Sequence, residues 1–235
     1  LLQGYLDMMG VPYGCCNVLA SALTFDKHTC NTYLKSYGVN VADSVMLIRG
    51  MAYDVNEIIN EVGLPCFVKP NAEGSSFGVT KVKEAAQLED ALKKAFALCQ
   101  EVLIETFIDG TELTCGVVKA GDMDIAMPIA EVIPKNEFFD FEAKYDPTKS
   151  DEIIPARISP ELTNRIKTLS SMIYDILRCE GIIRVDYIVR DDEIFMLEVN
   201  TTPGMTSNSF VPKMVRAMGG TLREVLTKII DNKLN

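Results

Sequence analysis

The 235-residue sequence contains no tryptophan, one histidine and no cysteines in C-x-x-C spacing. His28 cannot build a zinc site alone, and catalytic triads that depend on histidine are excluded with it. The seven cysteines (Cys15, Cys16, Cys30, Cys66, Cys99, Cys115 and Cys179) are odd in number. They read as reduced, mostly buried thiols of a cytoplasmic protein, not as a disulfide framework. Positive charge is also short. There are 23 Lys+Arg against 33 Asp+Glu, a formal net charge of −10 and a pI near 4.7. Such a surface repels phosphate backbones, so neither nucleic acid nor an anionic membrane is an expected partner. A bound polyphosphate would have to be held by locally placed Lys and Arg. No apolar run approaches the ~18 residues of a membrane span. What remains is globular: 48% hydrophobic and 24% charged residues, with length for one large or two modest domains.

Hydrophobic spacing organises the chain. "LLQGYLDMMG" has helical spacing and stops at Gly10, and "FDKHTCNTYLKSYG" predicts a helix from an Asp26 cap to Gly38. "AYDVNEIINEVG" repeats that form, and "LPCFVKP" is a short buried strand stopped by Pro70. The loop "NAEGSSFG" leads to strand "VTKVK" and a helix over 84–99. "EVLIETFI" is a strand, and "TELTCGVVKA" with "MDIAMPIAEVI" predicts a hairpin across Gly121-Asp122. Residues 134–155 lack periodicity and read as a long, functional loop. A helix over 160–179, a second hairpin and helices over 209–218 and 221–232 complete an α+β pattern in two lobes.

The second hairpin, "RVDYIVRDDEIFMLEVNTTPG" over 184–204, places Arg184, Asp186, Glu198 and Asn200 in strand positions. Alternation puts Arg184 and Asp186 on one face of the first strand, and Glu198 and Asn200 on one face of the second with Met196. The two polar sets meet if paired residue numbers sum to an even number. A three-residue loop, Arg190-Asp191-Asp192, satisfies this and sets Arg184 opposite Glu198 with Asp186 one pair along. Two carboxylates and an amide oxygen on one face suit Mg²⁺, which keeps waters and shares phosphate oxygens. A solvated face with an Arg–Glu cross-strand pair fits the same four residues. The following "NTTPGMTSNS" favours a site, because Gly204 lets backbone approach a ligand and hydroxyls offer donors.

Other features carry weaker signals. "VKPNAEGSSFGV" joins strand-borne Lys69 to a Gly/Ser loop whose N–H groups suit phosphate, without Walker or dinucleotide spacing. Lys27 beside the Asp26 cap, Lys144 and Tyr145 in "FFDFEAKYD", and Glu105 and Glu112 around "TFIDG" all have ordinary surface readings.

Taken in order, "GVPYGCCNVLASALTFDK", "LPCFVKPNAEGSSFGVTKV", "EVLIETFIDGTELT", "FFDFEAKY", "RVDYIV" and "LEVNTTPGMTSNSFVPKM" resemble the ATP-grasp superfamily, specifically the D-alanine–D-alanine ligase family. The match spans nearly the whole chain, and the last motif is highly specific. The resemblance implies two lobes, mainly of antiparallel sheet, that clasp ATP. The γ-phosphoryl group passes to a D-alanine carboxylate, and a second D-alanine's amine attacks the acyl phosphate, in service of cell-wall peptidoglycan. It implies that Lys27 and Lys69 contact ATP phosphates and that Ser75 and Ser76 cover them. The backbone from Glu105 through Thr106 to Ile108 would read adenine, and Glu112 would hold the ribose. Lys144 would reach the γ-phosphate. Asp186, Glu198 and Asn200 would bind two Mg²⁺ or Mn²⁺ ions, while Arg184 and the Gly204 N–H stabilise the oxyanion. Ser209 and Phe210 would hold the second D-alanine, and Tyr145, near Ser75, would mark dipeptide formation. Thr106, Phe139, Phe141 and Asn208 depart from the family pattern without touching the metal ligands. The implied division is a 1–25 remnant of a missing N-terminal domain, a 26–106 central lobe and a 107–235 C-terminal lobe. The intact enzyme is expected to be a homodimer. Two alternatives stay open: a nucleotide-binding module without turnover, and an ATP-grasp ligase joining another carboxylate and amine.

Overall fold

Capping residues set the helix starts. Asp26 accepts the Thr29 N–H at 2.9 Å, Asp54 accepts the Asn56 and Glu57 N–H groups, and Ser159 accepts the Leu162 N–H ahead of Pro160. The computed structural model describes residues 2–73, 78–134 and 150–234. In chain order the first elements are α1 (Leu2–Met8), α2 (Val18–Phe25), α3 (Lys27–Lys35), β1 (Ser44–Ile48), α4 (Val55–Val62), β2 (Cys66–Pro70) and β3 (Thr80–Val82). A 3₁₀ turn, α5 (Leu88–Leu98), β4 (Glu101–Thr106), β5 (Thr111–Ala120), β6 (Met123–Ala126), β7 (Ala130–Pro134) and β8 (Ser150–Ile153) follow. The last are α6 (Pro160–Ile176), β9 (Gly181–Arg190), β10 (Glu193–Asn200), α7 (Phe210–Ala217) and α8 (Leu222–Leu234).

Two units result, one of residues 25–110 and 133–151, the other of 1–24, 111–132 and 152–235. The first holds a four-stranded sheet in the order β1-β4-β2-β3. Strand β2 alternates strictly, so Cys66 and Val68 enter a core with Val102, Ile104, Leu88 and Leu92. The same alternation turns Phe67 and Lys69 to the opposite face. Residues 107–110 group with this unit because the Phe107 N–H donates to the Pro65 carbonyl and its ring packs edge-on against Phe67.

The second unit is built on the sheet β10-β9-β5-β7-β8, with β6 also on β5. One face of β9 is apolar: Ile183, Val185 and Tyr187 are fully buried, and the Tyr187 hydroxyl meets Ser170 of α6 at 2.7 Å. The other face starts in the core that Ile182 shares with Val211 and Met214 of α7, then turns polar at Arg184 and Asp186. Residues 1–24 group here. The Thr24 hydroxyl lies 3.2 Å from that of Thr201, and the Cys16 sulfur contacts Glu180.

Three differences from the sequence reading have physical causes. The arm expected over 123–133 is broken at Met127-Pro128-Ile129, because proline cannot donate to a ladder; β6 and β7 pair separately with β5. Strands β1 and β8 and helix α2 were not expected. Strand β1 buries only Leu47 and so lacks the alternation that marks a strand. The third difference is the β9–β10 register. The loop has two residues, not three: Asp191 and Asp192 both take positive φ, at 50° and 63°, and Arg190 pairs with Glu193. That turn alone would send the polar sets to opposite faces. A β-bulge at Leu197 inserts one residue between the Met196–Tyr187 and Glu198–Asp186 pairs and restores the shared face. Glu198 therefore stands opposite Asp186 and Asn200 opposite Arg184, while Met196 is buried on the other side.

Gly181, with φ +66°, opens β9 against the 14–15 backbone, where an added Cβ would overlap the Gly14 carbonyl. Gly219, with φ +79°, has nothing within 4 Å. Gly219→Ala is expected to cost about 1 kcal/mol and Gly181→Ala about 3 kcal/mol or more in denaturant unfolding. Equal costs would contradict the close approach at Gly181.

Candidate active site

The polar face of the six-stranded unit is organised in cross-strand rows. Thr114, Asp186 and Glu198 form one row, and Gly116, Arg184 and Asn200 the next. Arg184 forks onto Asp186, with Nε donating to Oδ1 at 2.8 Å and Nη2 to Oδ2 at 2.7 Å. Asp186 Oδ1 also accepts the Thr114 hydroxyl at 2.5 Å. The Arg184 and Asp186 side chains are each only 13% exposed, and Glu198 Oε1 lies 4.0 Å from the guanidinium. Burial works against the charge on Arg184, but Asp186 first, then Glu198 and Glu112, hold its pKa above the ordinary arginine value. The guanidinium is a fixed cation here and does not exchange protons in the working range.

Asp186, Glu198 and Asn200 offer hard oxygen donors in register, and Asn200 Oδ1 already accepts the Thr202 N–H at 3.1 Å. Among the described residues no group of three or more His, Cys, Asp or Glu forms a metal cage. Two carboxylates and one amide fit a cation that keeps waters and shares phosphate oxygens, which is the Mg²⁺ pattern. Asp186 contributes with part of its acceptor capacity already engaged by Arg184 and Thr114.

Beyond β10 the chain folds back on itself. A Cβ on Gly204 would stand 2.8 Å from Ser209 Oγ, and that hydroxyl lies 2.9 Å from Thr206 Oγ1. Ser209 is the residue before α7 and makes no side-chain cap, and the Phe210 ring lies 5.5 Å from the Arg184 guanidinium carbon. Arg184, Asp186, Glu198, Asn200, Glu112 and Phe210 are thus associated on one unit, and Gly204 and Ser209 touch each other.

In the four-stranded unit Lys69 Nζ donates to Glu105 Oε2 at 2.6 Å, with side chains 14% and 5% exposed. Glu105 Oε1 is buried with no hydrogen-bond partner among the described residues. Lys27 Nζ donates to the Glu73 carbonyl at 2.6 Å, at the edge of the Gly/Ser loop. Ile108 is buried; the Thr106 N–H donates to Asp43 O and the Phe107 N–H to Pro65 O, so both are used inside the unit. Ser75, Ser76, Lys144 and Tyr145 lie outside the described residues.

Some supporting residues escaped the sequence reading. Buried Asn71 accepts the His28 N–H at 2.9 Å and donates to Asp26 Oδ1 at 2.9 Å and Glu101 Oε2 at 3.0 Å. It fixes the start of α3, and so Lys27, against the first residue of β4. Thr114 was missed because a strand threonine is unremarkable in sequence. A polar residue just after the strand-ending Pro70 was the available signal for Asn71.

Residues 33–231 match the family described as the D-ala D-ala ligase C-terminus. A D-alanine–D-alanine ligase of Bacteroides fragilis is 56% identical over 233 residues, 99% of this chain and 72% of that protein. One from Bacteroides thetaiotaomicron is 57% identical over the same shares of the two chains. Among solved structures, the Bacillus anthracis D-alanine–D-alanine ligase complexed with ATP superposes with a TM-score of 0.85 at 31% identity, covering 99% of this chain and 74% of that one. The VanG D-Ala:D-Ser ligase of Enterococcus faecalis gives 0.85 at 36% identity, covering 99% and 68%.

Removing one partner of a buried ion pair strands the other charge. Lys69→Met should therefore destabilise the chain by about 3 kcal/mol, and Lys69→Met with Glu105→Leu should recover most of it. Additive losses in urea unfolding would show that the pair is not coupled.

Proposed function

The chain belongs to the D-alanine–D-alanine ligase family, and on that premise we propose that it carries out ATP-dependent ligation of two D-alanines to D-alanyl-D-alanine, a peptidoglycan precursor, in the cytoplasm. The observation that carries this reading is the set of Arg184, Asp186, Glu198 and Asn200 in adjacent cross-strand rows on one face. In the proposed reaction the first D-alanine carboxylate attacks the γ-phosphorus, releasing ADP and leaving an acyl phosphate. The second D-alanine's neutral amine attacks that carbonyl, and phosphate departs with the bond electrons. Such chemistry needs positioning and charge neutralisation more than an acid–base group, so one histidine in 235 residues is no obstacle.

Each residue has a proposed role. Asp186, Glu198 and Asn200 would hold two Mg²⁺ ions, which neutralise phosphate charge when bound. Arg184, oriented by its fork onto Asp186, places a permanent cation beside the tetrahedral oxyanion, and the Gly204 N–H is the second donor. Lys27 and Lys69 contact the nucleotide phosphates and Glu112 the ribose. The buried, unpartnered Glu105 oxygen suits the exocyclic amine of adenine, which would satisfy it. The Thr106 to Ile108 backbone completes that pocket, and Ser209 with Phe210 receives the second D-alanine. Ser75, Ser76, Lys144 and Tyr145 keep the roles that family resemblance implies. The intact enzyme is proposed to be a homodimer.

The likeness to a D-Ala:D-Ser ligase supports a second reading, with D-serine as the nucleophile. Incubation of the chain with ATP, Mg²⁺, D-alanine and D-serine separates the two. The expected result is D-alanyl-D-alanine with equimolar ADP and phosphate, at a rate that rises with pH above neutrality as the amine loses its proton. Arg184→Lys should lower kcat by roughly a hundredfold. Predominant D-alanyl-D-serine would support the second reading. Nucleotide binding without either product would leave a nucleotide-binding module.

A further inference from the structure

In the six-stranded unit, the 14–16 backbone runs directly against 179–181. An added Cβ at Gly181 would overlap the Gly14 carbonyl and lie 3.4 Å from Cys15 Cα. The Cys16 sulfur accepts the Glu180 N–H at 3.4 Å, and its S–H donates to the Glu180 carbonyl at 3.3 Å. Glu180 directly follows Cys179, whose own N–H donates to the Tyr174 carbonyl at 2.9 Å, so the Cys16 sulfur rests on the peptide that joins residues 179 and 180. Two thiols distant in sequence are therefore neighbours, both reduced, with Cys16 fully buried and Cys179 7% exposed.

We propose that Cys16 and Cys179 form an oxidisable pair that closes to a disulfide between the 14–16 turn and the start of β9.

The surroundings set this pair apart from the other thiols. Burial pushes Cys30 up to about 12 and Cys66 and Cys115 up to about 11, and it raises Cys15 and Cys99 as well. Cys16 moves the other way, held down first by the Cys179 thiol, then against burial by the Glu180 backbone. A cavity of about 340 Å³ is lined by Cys179, Glu180, Lys119 and Lys233, and it gives a small oxidant a route to Cys179. With hydrogen peroxide, the Cys179 sulfur takes one oxygen and gives up its proton to become a sulfenic acid, and the peroxide's other oxygen leaves as water. The Cys16 thiolate then attacks the Cys179 sulfur and displaces hydroxide, which leaves as a second water. Two thiols lose two protons and two electrons in total, and the peroxide is reduced by the same two electrons. The bond would tie the 1–24 segment covalently to the strand that carries Arg184 and Asp186.

The test is hydrogen peroxide treatment of the folded full chain, followed by thiol titration and mass mapping of a non-reducing digest. Two of the seven thiols should disappear together, and the digest should yield a cross-linked peptide joining Cys16 to Cys179, lost on addition of dithiothreitol. Cys15→Ser should retain that peptide, while Cys16→Ser and Cys179→Ser should abolish it. The cross-link map of the parent decides the matter even if a variant folds poorly. A bond between Cys15 and Cys16, a bond from Cys15 to Cys179, terminal oxidation of Cys179 without a cross-link, or survival of all seven thiols would each overturn the proposal.

Discussion

A guanidinium set on the inner face of a sheet must be neutralised where it stands. The Arg184–Asp186 fork does so with two charge-assisted hydrogen bonds at 2.7 and 2.8 Å between side chains only 13% exposed. Its neighbours follow from it. Thr114 supplies a hydroxyl to the same carboxylate, and the Phe210 ring lies near the guanidinium. Glu198 and Asn200 have to be brought to the same face. The Leu197 bulge does this, because a two-residue turn of left-handed aspartates fixes the opposite parity at the hairpin tip. Tip chemistry and site chemistry conflict in register, and one inserted residue reconciles them.

The same economy appears in the four-stranded unit. An acidic chain that handles nucleotide needs cations at defined points, and each described one is anchored. Lys69 rests on Glu105, and Lys27 on the Glu73 carbonyl, with its helix start fixed by Asn71. Lys69 and Glu105, buried on neighbouring strands, neutralise each other where they stand.

Much of this was legible in the sequence. The Asp26, Asp54 and Ser159 caps announce their helices through side-chain acceptors, and strict alternation in "LPCFVKP" and "IIRVDYIV" assigns Lys69 and Arg184 to their faces. The order of motifs pointed to the family. What stayed hidden depends on three-dimensional pairing. No glycine marks the Leu197 bulge, so parity was assigned to the loop instead. Edge strand β1 buries one residue, and Thr114 gains importance only because Asp186 is its cross-strand partner. The contact between Cys16 and Glu180 joins positions that no local pattern connects.

The carboxylates of the bulged hairpin are proposed to bind metal together with nucleotide, and that joint binding can be measured. Its most direct test is isothermal titration of ATP into the chain with and without Mg²⁺, repeated on Glu198→Ala. Mg²⁺-dependent binding by the parent is expected, with at least about a tenfold loss in the folded variant, or ~1.4 kcal/mol. Equal affinity in parent and variant, or binding by the parent indifferent to Mg²⁺, would contradict it.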